Sequence, residues 1–370
     1  MGNDVIIYPV FVPMIGCPHQ CAFCNQRSIT GRAITNLIDD VKNQVAAIMD
    51  TAVKREGYKE IAFFGGSFTC LPIELQNTIL GLAHPYLKTG IVDGIRISTR
   101  PDYISEPILE NLLKNGLTTI ELGIQSTDSH VLEASERGYT YDKILPDLIN
   151  LKNYPFKIGY QMMIGLPYDT RQKTIKTALD FTSIKPDFVR IYPTLVVKGS
   201  ALEKQFYQGK YDPLTIEEAV EWVKDIKFIF EYHHIDIIRI GLQSQEGFDK
   251  GQDLVAGPYH PAFGEMVESA IYRSWIKDIL QGMLDSKIDI PDKSVTIQVN
   301  HSRLSQAIGQ KKLNIKHLSQ EFPGYAISIK PSKDVDQQEL VVVINGKALR
   351  YSRKAYITLG YEGILKEIWN

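Results

Sequence analysis

The chain has 370 residues, more than one hydrophobic core usually holds, so a large domain and a smaller one are expected. Its composition, 44% hydrophobic and 23% charged, is that of an ordinary globular protein, and the net charge of -2 excludes a global basic surface for nucleic acid. The sequence has no run of about 18 apolar residues that would predict a membrane span, and it opens without a secretory signal pattern. A cytoplasmic location is therefore expected, where clustered cysteines indicate metal binding or catalysis more than disulfides.

Apolar segments alternate with helical patterns over the first half of the chain. Six segments are predicted as strands, at 5–14, 60–66, 94–101, 118–126, 156–165 and 187–197. Helices are predicted between them, at 37–57, 72–87, 104–116, 128–138, 141–154 and 170–185. The alternation predicts parallel strands covered by helices, since parallel neighbours need long crossover connections. The predicted fold class is α/β, a partial TIM-type (β/α)6 barrel, with a candidate seventh strand at 236–244.

The predicted C-terminal ends of the six strands are rich in glycine and polar residues, unlike the strands themselves. They carry Met14–Cys17, Gly65–Ser67, Ser98–Arg100, Glu121–Ser126, Gln161–Gly165 and Arg190–Tyr192. Chemistry collects at this end of the strands in parallel α/β barrels. The six segments therefore predict one shared site at one rim of the barrel.

Three of the four cysteines, Cys17, Cys21 and Cys24, stand in a C-x3-C-x2-C pattern directly after the first predicted strand. A structural zinc ion needs four ligands, so His19 or Cys70 would have to supply the fourth. A redox dithiol could use Cys21 and Cys24 alone, which leaves Cys17 unexplained. An iron–sulfur cluster bound by three thiolates would leave one iron open, where a substrate can bind.

The stretch CPHQCAFC at 17–24, with FFGGSFT at 63–69, resembles the radical S-adenosylmethionine (SAM) superfamily, in which an aromatic residue, here Phe23, precedes the last cysteine. The resemblance implies a [4Fe–4S] cluster held by Cys17, Cys21 and Cys24, with SAM on the fourth iron. It implies an enzyme that reductively cleaves SAM to start radical chemistry, served by an electron donor such as ferredoxin or flavodoxin. The cofactor would carry the difficult step, and the protein would position and shield it.

The same resemblance implies which rim residues contact SAM. Gly65 and Gly66 match a glycine motif whose backbone hydrogen-bonds the methionine amino group, and Ser67 takes the third, usually acidic, position. Arg100 is expected to bind the methionine carboxylate, since arginine can grip a carboxylate through two parallel hydrogen bonds. The remaining cofactor-binding positions are Ser98, Glu121, Gln125 and Gln161. No residue is assigned to act on the substrate itself.

Further segments resemble the radical SAM domain of the Elongator catalytic subunit, which modifies the wobble uridine of tRNA. They lie at 65–72, 121–140, 162–170 and 190–220. This resemblance covers roughly residues 5–245 and implies RNA, in particular tRNA, as the substrate. Two features depart from it: only about 125 residues follow the barrel, without a glycine pattern that cradles acetyl-CoA, and the cysteine gap is shorter. A truncated Elongator-like enzyme without the acetyltransferase domain is therefore expected.

Two other functions stay open at this point. Oxygen-independent coproporphyrinogen oxidase relatives share the barrel motifs, so the substrate could be a small metabolite or a porphyrin-like molecule, with a purely structural C-terminal domain. The other alternative is an RNA-binding protein whose cluster is structural or redox-sensing.

The predicted domains are the barrel at 1–245, a connecting segment and helix at 246–291, and a small C-terminal α/β domain at 292–370. Within the last, 295–331 is predicted as strand, helix, GQKK loop, helix and strand. A KH module clamps nucleotide backbone with a G-x-x-G loop between two helices, and the GQKK loop resembles it, with lysine in place of the second glycine. The predicted RNA-binding residues are Gly309, Gln310, Lys311, Lys312 and Lys316. The alternative is a structural domain in which these lysines form a solvated face.

Overall fold

The computed structural model describes residues 5–13, 17–25, 37–53, 55–242, 246–249, 251–290 and 292–369. The chain forms two compact units, the first of Met1–Pro213 with Ser244–Gly257 and the second of Leu214–Gln243 with Pro258–Asn370. The second unit thus includes 214–243, a stretch that the sequence prediction assigned to the barrel. Two predicted features, the rim residue Met14 and the end of the seventh strand at 243–244, lie outside the described residues.

The strands assigned in the described residues agree with the predicted alternation. In chain order they are β1 (Ile6–Val12), β2 (Lys59–Gly65), β3 (Gly94–Thr99), β4 (Leu117–Gln125), β5 (Lys157–Ile164), β6 (Phe188–Pro193), β7 (Val196–Val197), β8 (Asp236–Ile240), β9 (Leu254–Ala256), β10 (Ser294–Asn300), β11 (Ala326–Ser332), β12 (Glu339–Ile344) and β13 (Lys347–Ser352). The segment predicted as one strand at 187–197 is divided into β6 and β7.

The α-helices fall between these strands, except the last helix, which follows β13. They are α1 (Leu37–Ala52), α2 (Ile73–Gly81), α3 (His84–Lys88), α4 (Glu106–Lys114), α5 (Ser129–Ala134), α6 (Tyr141–Leu151), α7 (Arg171–Ile184), α8 (Ala201–Tyr207), α9 (Ile216–Tyr232), α10 (Glu246–Asp249), α11 (Phe263–Asp285), α12 (Leu304–Ile308), α13 (Leu313–Glu321) and α14 (Arg353–Trp369). None of the described helices is long and apolar enough to cross a membrane.

The first unit is built on a parallel sheet. Each strand from β1 to β5 pairs in parallel with the next one along the chain, so that β1 to β6 lie in sequential order. The central strands β3 and β4 are buried at almost every position, as expected for a parallel sheet with covered faces. The predicted α/β fold with a partial (β/α)6 barrel is confirmed.

Polar side chains begin several of the helices by accepting hydrogen bonds from their first N–H groups. Asp128 accepts from the third residue of α5, and Thr170 and Ser200 do the same for α7 and α8. Thr215 and Glu218 form a reciprocal capping box at the start of α9. Each cap satisfies a donor that has no partner inside the helix, so the helix boundaries are set locally by the sequence.

The second unit combines α9, α11 and α14 with a four-stranded sheet in the order β11-β10-β12-β13. β10 runs parallel to β11 and antiparallel to β12. The predicted order of strand, helix, loop, helix and strand is present as β10, α12, α13 and β11 with the GQKK loop between the helices. Apolar side chains of α11, such as Trp275 and Ile276, pack with Val295, Ile297 and Leu340 of the sheet to form its core.

Candidate cofactor site

The cysteine loop, defined as Cys17–Asn25, follows β1 in the first unit. Two backbone hydrogen bonds hold its centre. The Ala22 N–H donates to the Ser135 carbonyl at 3.0 Å, and the Ala22 carbonyl accepts from the Leu202 N–H at 2.8 Å. The loop is therefore fixed by the ends of two helical segments that come much later in the chain.

Two arginines contact the middle cysteine of the loop. Cys21 is buried, and its sulfur accepts a hydrogen bond from Nη1 of Arg137 at 3.2 Å and one from Nη1 of Arg100 at 3.6 Å. Burial alone would lower the pKa of Arg137, but the neighbouring Tyr139 and Cys21 outweigh that effect, and the pKa is raised. Charged donors of this kind fit a sulfur that carries negative charge, as a thiolate ligand of a cluster does.

The fourth cysteine lies against the same loop. Cys70 ends a short 3-10 turn after β2, and its thiol is hydrogen-bonded to that of Cys17. This hydrogen bond, with burial as the second cause, raises the pKa of Cys70. Cys17, Cys24 and Cys70 are all half-buried. The thiol of Cys70 therefore contacts Cys17, one of the three predicted cluster ligands. The cysteine spacing alone did not reveal this contact.

The structure also bears on the zinc alternative. His19 is directed to Asp102 and Tyr103, with 3.8 Å between its Nε2 and an Asp102 oxygen. Within the part of the chain that the structure describes, no group of three or more histidine, cysteine, aspartate or glutamate residues could hold a metal ion. A structural zinc site needs four such ligands around one ion. The thiolates of a cluster differ in that they bind separate iron atoms of a larger inorganic core.

The predicted glycine motif ends β2. Gly65 has a φ of 124°, and a Cβ atom there would collide with the Val12 carbonyl, so only glycine fits this position. Ser67, in contrast, is occupied by the fold. Its hydroxyl is bonded to the Thr99 hydroxyl at 2.9 Å and accepts from the Arg100 N–H at 3.0 Å. Gly65 thus allows the end of β2 to lie close against β1, and the side chain of the third motif position is engaged within the protein.

Glu121 is the centre of a buried ion-pair network inside the sheet. One of its oxygens accepts from Nη1 of Arg96 at 2.6 Å, and the other lies 2.8 Å from Nε of Arg190. Gln161 donates to Glu121 at 2.9 Å and to Ser98 at 3.3 Å. Both oxygens of Glu121 are therefore engaged, and its carboxylate orients Gln161 instead of offering a free oxygen to a ligand.

Arg100 is also engaged within the protein. Its guanidinium forms a two-pronged ion pair with Asp102, with both N···O distances at 2.9 Å. This is the geometry that the prediction reserved for the methionine carboxylate of SAM. In the structure, Arg100 therefore connects Asp102 to Cys21.

Gln125 combines a strained backbone with a buried side-chain oxygen that has no hydrogen-bond partner among the described residues. It ends β4 with a φ of 73°, in the left-handed region that residues other than glycine rarely adopt, next to a register irregularity in the pairing of β4 with β5. Its side-chain oxygen is buried and accepts no hydrogen bond from any described residue. A buried acceptor without a donor costs free energy, and a donor group on a bound molecule would remove that cost. The thiols of the loop, the charged donors on Cys21 and this orphaned oxygen fit a cluster with SAM.

The predicted RNA-binding loop lies in the second unit between α12 and α13. Gly309 is buried, and a Cβ atom there would lie 2.9 Å from the Ser269 hydroxyl, so this glycine serves packing. Lys311 and Lys312 are exposed and have φ values of 50° and 61°. Gln310 and Lys316 are exposed as well. The loop therefore holds two adjacent lysines in a strained, left-handed backbone, and Lys312 takes the conformation that a second glycine would adopt without strain.

The comparisons with known proteins identify the family. The Radical SAM superfamily model matches residues 11–181, and the Radical SAM C-terminal domain model matches residues 186–273. The chain belongs to the radical SAM superfamily, whose enzymes use a [4Fe–4S] cluster and SAM. The enzyme class and both cofactors are thereby confirmed.

Within the superfamily the chain is similar to Elongator protein 3 and its relatives. It is 36% identical over 136 residues to a tRNA uridine(34) acetyltransferase of Methanocaldococcus jannaschii, which covers 36% of this chain and 25% of that protein. It is 29% identical over 187 residues to human Elongator complex protein 3, covering 45% and 34%. The chain thus spans only a quarter to a third of these curated relatives. The Elongator-like resemblance is confirmed.

A solved structure shares this fold. The archaeal Methanocaldococcus infernus Elp3 with an N-terminal deletion covers 99% of this chain, and 92% of its own length is covered, with a TM-score of 0.57 and 19% identity. At this identity the likeness concerns the fold alone. It supports a partial barrel followed by a C-terminal domain.

Two side chains near the cysteine loop were not singled out from the sequence. Arg137 and Tyr139 lie in the ERGYT stretch that carried the Elongator resemblance, but no spacing relates them to Cys21. Tyr139 donates to the Ile124 carbonyl at 2.9 Å and holds Arg137 in place. The one available signal was an arginine in the short connection between α5 and α6, and it is too weak to identify a contact with a cysteine.

Proposed function

We propose that this radical SAM enzyme modifies a carbon atom of a base or ribose in RNA, with tRNA as the substrate class. The observation that carries the substrate class is the similarity to enzymes named for uridine(34) of tRNA. The exposed lysine pair of the GQKK loop supports it, because phosphate contacts supply most of the affinity for nucleic acid. A cytoplasmic location and a donor such as ferredoxin or flavodoxin belong to the same proposal.

Cys17, Cys21 and Cys24 would hold the cluster, and SAM would bind beside it. The cluster, reduced by the external donor, and SAM would together supply radical chemistry through one-electron cleavage of SAM. The chain's own contribution is burial and orientation. Cys21 is buried under two arginine side chains, which keeps water away from this sulfur.

The predicted SAM contacts separate into two groups by their free hydrogen-bonding capacity. The Ser98 hydroxyl and the Gln125 oxygen have capacity for a ligand, and Gly65 and Gly66 carry no side chain. The side chains of Ser67, Arg100 and Glu121 form hydrogen bonds with neighbouring residues. The amide of Gln161 is oriented by its hydrogen bonds to Ser98 and Glu121. We assign direct SAM contact to the first group. The second group would hold the first in place.

The GQKK loop would bind RNA through phosphate and not through base edges. Lys311, Lys312 and Lys316 are exposed, and none of them forms a salt bridge with a described residue. An unpaired exposed ammonium group releases condensed counterions when it meets a phosphate, which makes binding favourable and dependent on salt. Left-handed backbone at both central positions is strain that a functional contact would explain.

Filter binding of bulk tRNA tests the loop. Lys311→Glu together with Lys312→Glu is expected to weaken binding about tenfold or more at moderate salt and to reduce the salt dependence by about two counterions. The matched control reverses two exposed lysines elsewhere in the second unit, Lys333 and Lys347, and is expected to bind as the wild type does. Equal binding by both double variants would refute the role of the loop.

The substrate class is tested by comparing modified nucleosides of tRNA, by mass spectrometry, from cells with and without this protein. The proposal predicts that one modified nucleoside disappears and returns when the protein is restored. The variant with alanine at all three loop cysteines should fail to restore it. An unchanged tRNA profile, with no retention of RNA on filters, would favour a small-molecule substrate and refute the proposal.

A further inference from the structure

Arg137 is a buried cation with no carboxylate partner among the residues that the structure describes. Four arginines of the described residues are less than a tenth exposed. Arg96, Arg100 and Arg353 each form an ion pair with aspartate or glutamate. Arg137, 4% exposed, contacts the Gly123 carbonyl, the Tyr139 hydroxyl and the sulfur of Cys21 instead. Because an unpaired buried charge is costly, a negative charge is expected among these contacts.

Cys21 is the contact that can supply this charge. A backbone carbonyl carries only a dipole. Burial raises the pKa of Tyr139, so this hydroxyl stays neutral and acts as a hydrogen-bond partner. The Cys21 sulfur accepts from Nη1 of Arg137 at 3.2 Å and becomes anionic when it binds a metal. Arg137 is therefore matched to Cys21 in its thiolate form.

The position of Arg137 is fixed on the side away from Cys21. Its Nη2 donates to the Gly123 carbonyl and lies 2.9 Å from the Tyr139 hydroxyl, which itself donates to the Ile124 carbonyl. The guanidinium also lies over the ring of Phe23, 5.9 Å from its centre. Phe23 is the aromatic residue of the cysteine motif, and a cation above its ring is attracted by the ring electrons. The β4 end thus holds the guanidinium, and the cysteine loop closes over it.

We propose that Arg137 is the buried counter-ion of the Cys21 thiolate and that its charge makes the cluster held by this loop easier to reduce. The inference rests on the proposed assignment of Cys21 as a cluster ligand. Reduction adds one electron, delivered by an external donor, and no proton, so the ligated unit becomes one charge more negative. A fixed positive charge and a hydrogen bond at one sulfur stabilise the more negative state. Arg137 is a positioning residue in this account, since it contacts a ligand and not the substrate.

Arg100 provides a matched comparison. It also donates to Cys21, but from 3.6 Å, and its charge is compensated by both oxygens of Asp102. The double variant Arg100→Met with Asp102→Asn removes an ion pair that carries no net charge. The electrostatic potential at the Cys21 sulfur is therefore expected to change little. Removing Arg137 removes a full charge.

The test is a redox titration of the full chain, reconstituted anaerobically with iron and sulfide, with dithionite as reductant and electron paramagnetic resonance as readout. Arg137→Met is expected to lower the equilibrium constant for reduction at least tenfold, which is a shift of about 59 mV to more negative potential. Arg137→Lys keeps the charge and is expected to shift the potential less than half as far, as is the Arg100 and Asp102 double variant. Arg137→Met with full iron content and an unchanged potential would overturn the inference.

A second measurement needs no cluster and covers a variant that fails to take up iron. In the metal-free protein, Cys21→Ala removes the sulfur that accepts a hydrogen bond from Nη1 of the buried Arg137, so the thermal unfolding midpoint is expected to fall. Adding Arg137→Met to Cys21→Ala is expected to recover part of that fall, whereas independent residues would give additive losses. Additive losses overturn the contact between Arg137 and Cys21 on which the inference rests. If the losses are non-additive but the wild-type chain binds no iron, the proposed cluster ligands are overturned and only this contact stands.

Discussion

Removal of Arg96 is expected to destabilise the first unit strongly. Its guanidinium donates to Glu60 from Nε at 2.6 Å and to Glu121 from Nη1 at 2.6 Å, and all three side chains are about 1% exposed. In Arg96→Met, Glu121 keeps its ion pair with Arg190. Among the described residues, Glu60 keeps only neutral donors, chiefly the Thr119 hydroxyl at 2.6 Å. The variant therefore leaves one buried carboxylate without a counter-ion.

The expected loss is about 3–5 kcal/mol of the free energy of unfolding, the cost of breaking a buried ion pair from one side. Changing Glu60 to Gln in the same chain removes the unpaired charge, so the double variant should recover more than half of the loss. Arg190→Met is the comparison, because Arg190 is more exposed and leaves Glu121 paired with Arg96. It should cost less than Arg96→Met.

Urea unfolding of the metal-free protein under reducing conditions measures these differences. Far-ultraviolet circular dichroism is the suitable readout, since all three tryptophans of the sequence fall in the second unit and tryptophan fluorescence would not follow the first. A loss below about 1 kcal/mol for Arg96→Met would refute the reasoning. So would a double variant with Glu60→Gln that is no more stable than Arg96→Met alone.

Cys70→Ala is expected to keep the iron content of the reconstituted wild type, because Cys70 contacts Cys17 from outside the loop. Cys17→Ala is expected to lose iron. Equal loss of iron from both variants in iron assays would make Cys70 a ligand. Gly65→Ala should lower the unfolding midpoint, because the added methyl group collides with the Val12 carbonyl. The control Gly81→Ala, at the end of α2 with open space around it, should be neutral or stabilising by up to about 1 kcal/mol. Similar midpoints for the two variants would contradict the collision. Burial raises the pKa of Asp169 from 3.8 to about 6, so its contribution to stability is lost as the pH rises through that range. Between about pH 5 and about pH 7.5 the wild type should lose about 1.5 kcal/mol of unfolding free energy relative to Asp169→Asn, and parallel pH profiles in urea unfolding would refute the shift.

The alternation of strands and helices was predictable because each element carries its own signal. Apolar runs bounded by glycine, and polar caps such as Asp128 and Thr170, are local features that the fold keeps. The cysteine motif likewise indicated the cofactors, through its resemblance to the radical SAM superfamily. These inferences needed no knowledge of which segments meet in space.

The occupied side chains of the site were not predictable in this way. Arg100 and Glu121 have the right chemistry for a ligand, but their partners Asp102 and Arg96 come from positions that no spacing rule connects to them. Arg96 reads as a polar interruption of an apolar strand, and only the parallel register of β2, β3 and β4 brings it between two glutamates. The contact of Cys70 with Cys17 has the same origin, since it depends on how β1 and β2 end side by side.

The most direct test of the account is SAM cleavage by the reconstituted chain. The protein, reduced with dithionite under anaerobic conditions and given SAM, should release methionine and 5′-deoxyadenosine in equal amounts, as measured by chromatography and mass spectrometry. The variant with alanine at Cys17, Cys21 and Cys24 should release neither. A chain with full iron content and an intact cluster spectrum that leaves SAM uncleaved would contradict the account, as would a triple variant that cleaves SAM as fast as the wild type.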